Sequence, residues 1–238
     1  MPVRNAQLYY VAKPIGKRIA LDEEESHHLL TVMRARKGQR VQLTDGQGAF
    51  YEAEFVEAFK QQAWLRILAK EVVPPPVTHL HLALAPPKHA DRFEWFVEKA
   101  TELGVNRITP LLCERSERIT VRLERLRRIM VAALKQSLQA WMPLLEPPTH
   151  FSAVVRSAQE SIRAVAWCGQ TPRVDFRDLL RPGVHAVVLI GPEGDFTFEE
   201  ISLAEAHGFI PISLGSSRLR TETAGVAVAA TFKLLCSP

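Results

Sequence analysis

The chain has 238 residues, of which 47% are hydrophobic and 24% are charged, as in a soluble protein that buries a sizeable core. The formal net charge is +4, and 21 of the 30 basic residues are arginine, a side chain suited to bidentate contact with phosphate. These values argue against disorder, a collagen-like repeat and a membrane protein, and they leave a nucleic-acid partner open.

Residues 1–72 predict a small β-rich domain. A short helix is expected over residues 27–35, after three glutamates, with Ser26 as its N-cap. Asp45 and Gly46 are a hairpin signal. Four short runs predict strands, at residues 8–11, 40–44, 50–58 and 63–70. Several short strands with one helix favour a small barrel.

Three consecutive prolines, at 74–76, favour a stiff spacer, and we place the domain boundary there. Strand patterns then alternate with helical ones, which implies an α/β domain over residues 73–238 with a mostly parallel sheet covered on both faces. Strands are expected at residues 79–85, 107–113, 164–168, 185–190 and 210–214, and helices at 93–103, 123–134 and 224–235. Two capping-box patterns open helices: Asp91-x-x-Glu94 and Thr197-x-x-Glu200. The last helix is apolar nearly all round, so we expect it to be buried.

Two unusual loops follow strands of this domain, at residues 189–197 and 213–224. An open α/β sheet binds ligands outside the carboxyl ends of its strands, and glycines let a backbone approach a ligand closely. Either loop alone is an ordinary strand-to-helix turn, but the pair at neighbouring strand ends predicts a binding site. Neither loop is a dinucleotide or triphosphate cradle, which leaves open a nucleoside cofactor without phosphates, a class that includes S-adenosylmethionine.

Competing chemistries find little support in the sequence. His79 and His81 share one face of a strand, but no third metal ligand is apparent, so we expect no metal. A serine-hydrolase elbow is absent. The three cysteines include no CxxC motif, which suits a reducing cytoplasm, and Cys168 is expected to be a buried strand-end residue. The first residues lack the apolar core of a signal peptide, which also favours a cytoplasmic protein.

A cluster of arginines offers a second candidate site. It is either a phosphate-binding surface or a solvated helix face interleaved with glutamates, and the sequence leaves both interpretations open. Its members are Arg115, Arg118, Arg122, Arg125, Arg127 and Arg128.

The two loops resemble the signature of the ribosomal RNA small subunit methyltransferase E family, which belongs to the trefoil-knot (SPOUT) methyltransferases. The matching residues are Gly191-Pro192-Glu193-Gly194, Leu214-Gly215 and Leu219-Arg220-Thr221-Glu222-Thr223-Ala224. Further similarities extend over most of the chain, at His28, Val32-Met33-Arg34, Lys88, Arg92, Glu94, residues 99–105, Lys135-Gln136-Ser137 and Pro143.

The resemblance implies a PUA-like β-barrel for RNA over residues 1–72 and a knotted SPOUT α/β domain over residues 73–238. It also implies a homodimer, and we expect no metal and no membrane partner. S-adenosylmethionine would be the methyl donor, and N3 of one uridine in 16S ribosomal RNA of the small ribosomal subunit would be the acceptor. The knot is implied by the resemblance alone, since knots are rare in protein folds.

The expected cofactor-binding residues are Leu189, Ile190, Gly191, Pro192, Glu193, Gly194, Leu214, Gly215, Leu219, Arg220, Thr221, Thr223 and Ala224. For catalysis, Arg220 would stabilise the charge that develops on the uracil ring when N3 loses its proton. Glu222 would orient Arg220 or the base, and either Glu222 or Glu94 would accept the proton. RNA would be bound by Arg34, Lys88 and Arg92.

At four positions this chain has a residue other than the one usual in the family: Asp195, Ser217, Arg218 and Gln139. The family has glycine where this chain has Asp195, which adds a charge beside the cofactor loop. Arg218 offsets the arginine that the family has at Ser217. Two alternatives stay open: another SPOUT reaction, on a ribose 2′-hydroxyl or on transfer RNA, and a non-catalytic RNA-binding assembly factor.

Overall fold

The computed structural model describes residues 7–12, 16–117, 120–169 and 172–236. The chain divides into two compact units, Met1–Pro75 with Val131–Met142 and Pro76–Met130 with Pro143–Pro238. Residues 131–142, which lie inside the predicted second domain, therefore pack with the first unit.

The first unit contains one five-stranded sheet. Its strands are β1 (Leu8–Tyr10), β2 (Arg18–Ala20), β3 (Arg40–Thr44), β4 (Ala49–Phe59) and β5 (Gln62–Val72). Their order is β1-β3-β4-β5-β2, with β1 parallel to β3 and the other neighbours antiparallel. Along β4, the buried Tyr51, Ala53 and Phe55 alternate with half-exposed residues, and they enter the core of the unit. This period of two gives the sheet one apolar face.

The helix of the first unit starts four residues earlier than expected. Helix α1 (Glu23–His27) begins after Asp22, whose carboxylate accepts the N–H of Glu25 at 2.8 Å, and a π-helical turn, His28–Val32, follows. The prediction of Ser26 as N-cap was wrong. Ser26 is buried inside the helix because its hydroxyl accepts the N–H of Ala63 at 3.0 Å, on β5.

The segment Val131–Met142 is held in the first unit by side-chain and backbone polar contacts, the latter from Ala140 and Met142 to the turn at residues 46–48. The Lys135 ammonium binds the carboxylate of Glu25, which is 3% exposed. Burial raises the pKa of the Glu25 carboxyl, although Lys135 opposes the shift. The indole N–H of Trp141 donates to the carbonyl of Pro74 at 3.1 Å. Removing either partner of a buried ion pair leaves an uncompensated charge, so Lys135 is a structural residue here.

The second unit contains a parallel sheet. Its strands are β6 (His79–Leu84), β7 (Arg107–Leu112), β8 (Leu144–Leu145), β9 (Thr149–His150), β10 (Ile162–Ala166), β11 (Val174–Asp175), β12 (His185–Ile190) and β13 (Ile210–Ser213). The order is β11-β13-β10-β12-β6-β7-β8, with β9 also paired to β7, and all of these pairs are parallel. The predicted α/β fold with a parallel sheet is confirmed.

Helices cover both faces of this sheet. They are α2 (Ala90–Glu102), α4 (Phe151–Ser157), α5 (Phe198–Ala206) and α6 (Thr221–Cys236). Helix α3 (Leu123–Gln136) is divided between the two units after Met130, and a 3₁₀ turn, Phe176–Leu179, follows β11. Residues of α4 and α5 share one core with Ala83 and Leu189. On the other face, Gly225 of α6 lies directly against Leu84 and against Phe96 of α2. Strands buried on both faces explain the nearly continuous apolar runs in the sequence.

Only one of the two predicted capping boxes forms. Thr197 and Glu200 cap α5 reciprocally: the Thr197 hydroxyl accepts the N–H of Glu200 at 3.2 Å, and the Glu200 carboxylate accepts the N–H of Thr197 at 2.9 Å. The box at Asp91 and Glu94 was a wrong prediction. Helix α2 begins at Ala90, so Asp91 lies inside the first turn, and the Glu94 carboxylate binds a side chain of α3 instead.

Candidate functional site

A cavity of about 390 Å³ opens in the second unit at the carboxyl ends of three adjacent strands, β13, β10 and β12. Its walls come from the last residues of these strands and from the two loops that the sequence singled out. This volume falls in the usual range for small-molecule sites, and the strand ends are where open α/β sheets bind ligands. The cavity is therefore the candidate site.

The first loop follows β12 and turns sharply. The N–H of Asp195 donates to the carbonyl of Pro192 at 2.9 Å, which closes the turn. The Arg115 guanidinium donates from one nitrogen to the carbonyls of Gly194 and Phe196, at 2.9 and 3.3 Å. These contacts fix the loop while Gly191, Pro192 and Glu193 face the cavity.

The second loop follows β13 and reaches the first. The Thr221 hydroxyl, at the start of α6, donates to the carbonyl of Gly191 at 3.0 Å. Gly215 has a φ of +117° with open space around its Cα, so its backbone conformation rather than packing requires glycine. The two loops therefore contact each other and line one cavity.

Ten of the thirteen expected cofactor-binding residues line this cavity: Ile190, Gly191, Pro192, Glu193, Leu214, Gly215, Leu219, Arg220, Thr221 and Ala224. The other three face elsewhere. Leu189 is fully buried in the core shared with α4 and α5. Gly194 faces Arg115, and Thr223 is exposed on α6.

The cavity also has a third wall, which the sequence analysis missed. Ala166, Trp167 and Cys168, at the end of β10, line it together with Arg173. The prediction that Cys168 is buried was wrong, because its side chain is exposed at this wall. Predicting β10 as a strand of a parallel sheet puts its carboxyl end at the same edge as that of β12, but the sequence did not show that the two strands are neighbours.

Three of the four departures from the family, at Asp195, Ser217 and Arg218, also line the cavity. Arg218 is exposed, and it follows Ser217, the position at which the family usually has arginine. The fourth, Gln139, lies in the first unit, where its amide donates to the Ser137 hydroxyl at 3.1 Å.

The expected catalytic residues have different surroundings. Arg220 is exposed and lines the cavity. Glu222 is 7% exposed, in the first turn of α6, and its carboxylate lies 3.8 Å from Nε of Arg92. Neither Glu222 nor Glu94 lines the cavity. Glu94 forms a two-bonded ion pair with Arg125, at 2.5 and 2.7 Å.

The expected RNA-binding residues fall in both units. Arg34 is exposed in the first unit, with a φ of +50°. In the second unit, the N–H of Lys88 donates to the Glu193 carboxylate at 3.3 Å. The Lys88 ammonium lies 3.0 Å from the Glu117 carboxylate, and their hydrogen bond raises the pKa of Lys88. Lys88 therefore stands beside the first loop of the cavity.

Most of the arginine cluster is exposed. Arg122, Arg125, Arg127 and Arg128 are all exposed at the start of α3, although Arg125 pairs with Glu94 and Arg127 with Glu124. Arg115 is engaged with the first loop, as described above, and Arg118 lies outside the described residues.

The part of the chain that the structure describes has no group of three or more His, Cys, Asp or Glu side chains that could hold a metal ion. His81 is bound to Thr109 at 2.8 Å and to Glu160 at 3.3 Å. Burial, followed by the charge of His185, lowers the pKa of His79.

Within the residues that the structure describes, none of the helices has the length and apolar character that crossing a membrane requires.

Comparison with protein-family models gives two matches. Residues 73–233 match an RNA methyltransferase domain, and residues 21–68 match an RNA methyltransferase PUA domain. A curated relative, ribosomal RNA small subunit methyltransferase E of Synechocystis, is 32% identical over 93% of this chain and 74% of its own length.

Solved structures agree with these matches. A probable rRNA methyltransferase of Porphyromonas gingivalis has a TM-score of 0.90 and 35% identity, covering 96% of this chain and 98% of that one. A ribosomal RNA small subunit methyltransferase E of Neisseria gonorrhoeae, bound to S-adenosyl methionine, has a TM-score of 0.85 and 26% identity, covering 97% and 98%. The predicted combination of a PUA-like domain with a SPOUT-type α/β domain is thereby confirmed.

Proposed function

The chain belongs to the ribosomal RNA small subunit methyltransferase E family, and we propose that it transfers a methyl group from S-adenosylmethionine to N3 of one uridine in 16S ribosomal RNA. The observation that carries the proposal is the cavity at the ends of β10, β12 and β13, with Arg220 in its wall. The family membership supports the reaction class, and the cavity supports the donor.

The residues present fit S-adenosylmethionine. The cavity has about the volume that a nucleoside with a methionine tail needs, and its walls are two glycine-bearing loops whose backbone groups can bind a base and a ribose. Glu193 supplies negative charge for the cationic parts of the donor, and Arg173 and Arg218 supply positive charge for its carboxylate. When bound, the donor offers a sulfonium methyl group to a nucleophile in line with the S–CH₃ bond.

The chain's own contribution is to position the uracil and to move its N3 proton. Loss of that proton leaves negative charge on N3, O2 and O4, and the exposed Arg220 guanidinium can stabilise it as it develops. Glu222 would accept the proton and pass it to solvent, since it lies two residues from Arg220 whereas Glu94 is occupied by Arg125. The Arg92 side chain, 3.8 Å away, orients the Glu222 carboxylate.

RNA would be held by the PUA-matching unit and by the basic side chains near the cavity, with Arg34 in the first unit and Lys88 and Arg92 in the second. We propose a homodimer, supported by Leu234 of α6, which is 81% exposed and would be covered by a second copy. Sedimentation equilibrium tests this state.

A cytoplasmic location follows from the proposed substrate, because ribosomal subunits assemble there. The domain limits, 1–72 and 73–238, and the trefoil knot remain predictions.

The test is methyl transfer in vitro. The purified chain is incubated with methyl-labelled S-adenosylmethionine and, separately, with 16S RNA transcribed in vitro, unmodified small subunits and transfer RNA. We expect label in the 16S RNA, free or assembled, and none in transfer RNA. Incorporation into transfer RNA alone would favour another SPOUT reaction, and donor binding without any transfer would favour a non-catalytic RNA-binding factor.

A further inference from the structure

Asp195 combines an unusual backbone conformation with a side chain fully engaged with the backbone. Its φ is +61°, in the left-handed region that aspartate tolerates better than most residues but that favours glycine. Its carboxylate accepts the N–H of Phe196 at 2.8 Å with one oxygen and the N–H of Cys168 at 3.2 Å with the other. Both acceptor oxygens are therefore used to hold the main chain.

The bond to Cys168 links two walls of the cavity. Asp195 belongs to the loop that follows β12, whereas Cys168 follows β10, the neighbouring strand. Trp167 and Cys168 form the third wall. A hydrogen bond to an ionised carboxylate is about twice as strong as one between neutral groups, so a single side chain can fix the position of Trp167 and Cys168.

We infer that Asp195 is a positioning residue for the methyl donor: it fixes the Trp167–Cys168 wall against the loop that follows β12. The inference rests on the proposed function, because it takes S-adenosylmethionine as the occupant of the cavity. The family's usual glycine would adopt the same φ but has no acceptor. This chain thus adds a link that the family's common sequence lacks.

The test compares two substitutions that separate conformation from hydrogen bonding. Asp195→Gly keeps the positive φ available and removes both acceptors, so we expect the Kd for S-adenosylmethionine to rise about tenfold, the effect of losing one charged hydrogen bond. The KM for RNA stays unchanged. Asp195→Asn also tolerates the conformation and keeps one carbonyl acceptor, so it recovers part of the affinity. Asp178→Asn, which removes the same charge from an exposed residue outside the cavity, is the control.

A second readout reports the wall directly. Among the three cysteines, Cys168 is exposed whereas Cys113 and Cys236 are buried, so iodoacetamide should label Cys168 first. Without cofactor, Asp195→Gly should speed alkylation of Cys168 and leave the other two protected. Added S-adenosylmethionine should slow labelling of Cys168 in the wild-type protein. Peptide mass spectrometry measures all three rates.

The outcomes are distinct. Wild-type affinity in Asp195→Gly overturns the inference. A loss of affinity with an unchanged rate at Cys168 also overturns it, because Asp195 would then act by contact and not by positioning. Faster labelling of all three cysteines overturns it as well, since the substitution would be loosening the whole fold. If the wild-type chain itself binds no S-adenosylmethionine, the proposed function fails instead.

Discussion

Arg220 and Glu222 lie two residues apart at the start of α6, yet their surroundings suit them to different tasks. Arg220 is exposed in the cavity wall, where a guanidinium can meet charge on a ligand. Glu222 is buried beside Arg92, where a carboxylate keeps a fixed position. The sequence located both residues because arginine, glutamate and two threonines precede an apolar helix, but it could not show which of the two side chains faces solvent.

Replacing Arg220 tests the charge-stabilising role. Arg220→Ala should lower kcat by about 10²- to 10³-fold, the usual effect of removing one preorganised donor, and should change the Kd for S-adenosylmethionine much less. Steady-state kinetics with saturating donor and RNA measure the effect. Arg177→Ala, which removes an exposed arginine paired with Asp175, is the matched control and should keep wild-type kcat. A full methylation rate in Arg220→Ala would refute the assignment.

The His81–Glu160 pair is a second test at the residue scale. Burial opposes ionisation of Glu160, but the hydrogen bond and charge of His81, together with backbone hydrogen bonds from Glu160 and Gln159, outweigh it and hold the pKa of Glu160 at about 2, below its ordinary 4.5. A depressed carboxyl pKa stabilises the fold above pH 4.5, and this contribution is lost as the pH falls towards 2.

Glu160→Gln should therefore lower the free energy of unfolding at pH 7 by about 2 kcal/mol. The difference from the wild-type protein should shrink as the pH falls from 4.5 towards 2, because the wild-type carboxyl is then protonated too. Urea unfolding at pH 7, 4.5 and 3 measures it. A difference that does not vary with pH would mean that the pair contributes no ionic stabilisation.

At the scale of elements, strands were easier to predict than helix starts. The strands of the parallel sheet are buried on both faces, so they appear in the sequence as apolar runs, and β12 was predicted at its observed bounds, His185–Ile190. Helix α1 was misplaced because Asp22 and Ser26 are both good caps. The choice depends on Ala63, 37 residues away, which uses the Ser26 hydroxyl. Local patterns carry no information about such a partner.

Gly225 tests the packing of α6 on the sheet. A Cβ at this position would come within 2.5 Å of Phe96 and 2.6 Å of Leu84, both fully buried. Gly225→Ala gains about 1 kcal/mol of helix propensity, but overpacking a rigid core costs about 1–3 kcal/mol, so we expect net destabilisation. Thermal unfolding measures the change. Ala227→Gly, at a half-exposed position of the same helix, is the control for propensity alone, and a stabilised Gly225→Ala would contradict the close packing.

The exposed arginines of α3 test the phosphate-binding interpretation, which the sequence left open. Arg122 and Arg128 are exposed, and neither forms an ion pair with a carboxylate among the described residues. If both side chains contact RNA phosphates, the double variant Arg122→Ala, Arg128→Ala should have a smaller salt dependence of RNA binding. The slope of log K against the logarithm of the salt concentration should become shallower by about two. Filter binding from low to high salt measures this slope, with Arg177→Ala as the control. An unchanged slope would make this surface a solvated helix face.

At the scale of the whole molecule, the sequence predicted most of the site. Glycines, charges and hydroxyls concentrated at two strand ends mark a ligand loop, and those loops meet through Thr221 and Gly191. The third wall escaped notice because Trp167 and Cys168 look like the end of a core strand. Only the order of the strands, in which β10 lies between β12 and β13, brings that wall into the cavity. Strand order is a tertiary property with no local signal.

The most direct test of the account is the chemical identity of the methylated nucleoside. RNA from the in vitro reaction is digested to nucleosides, which are separated against an N3-methyluridine standard and fragmented in a mass spectrometer, where a methyl group on the base and one on the ribose give base fragments of different mass. We predict N3-methyluridine, formed by the wild-type chain and lost with Arg220→Ala. A methyl group carried on the ribose, or no modified uridine at all, would contradict the proposed reaction.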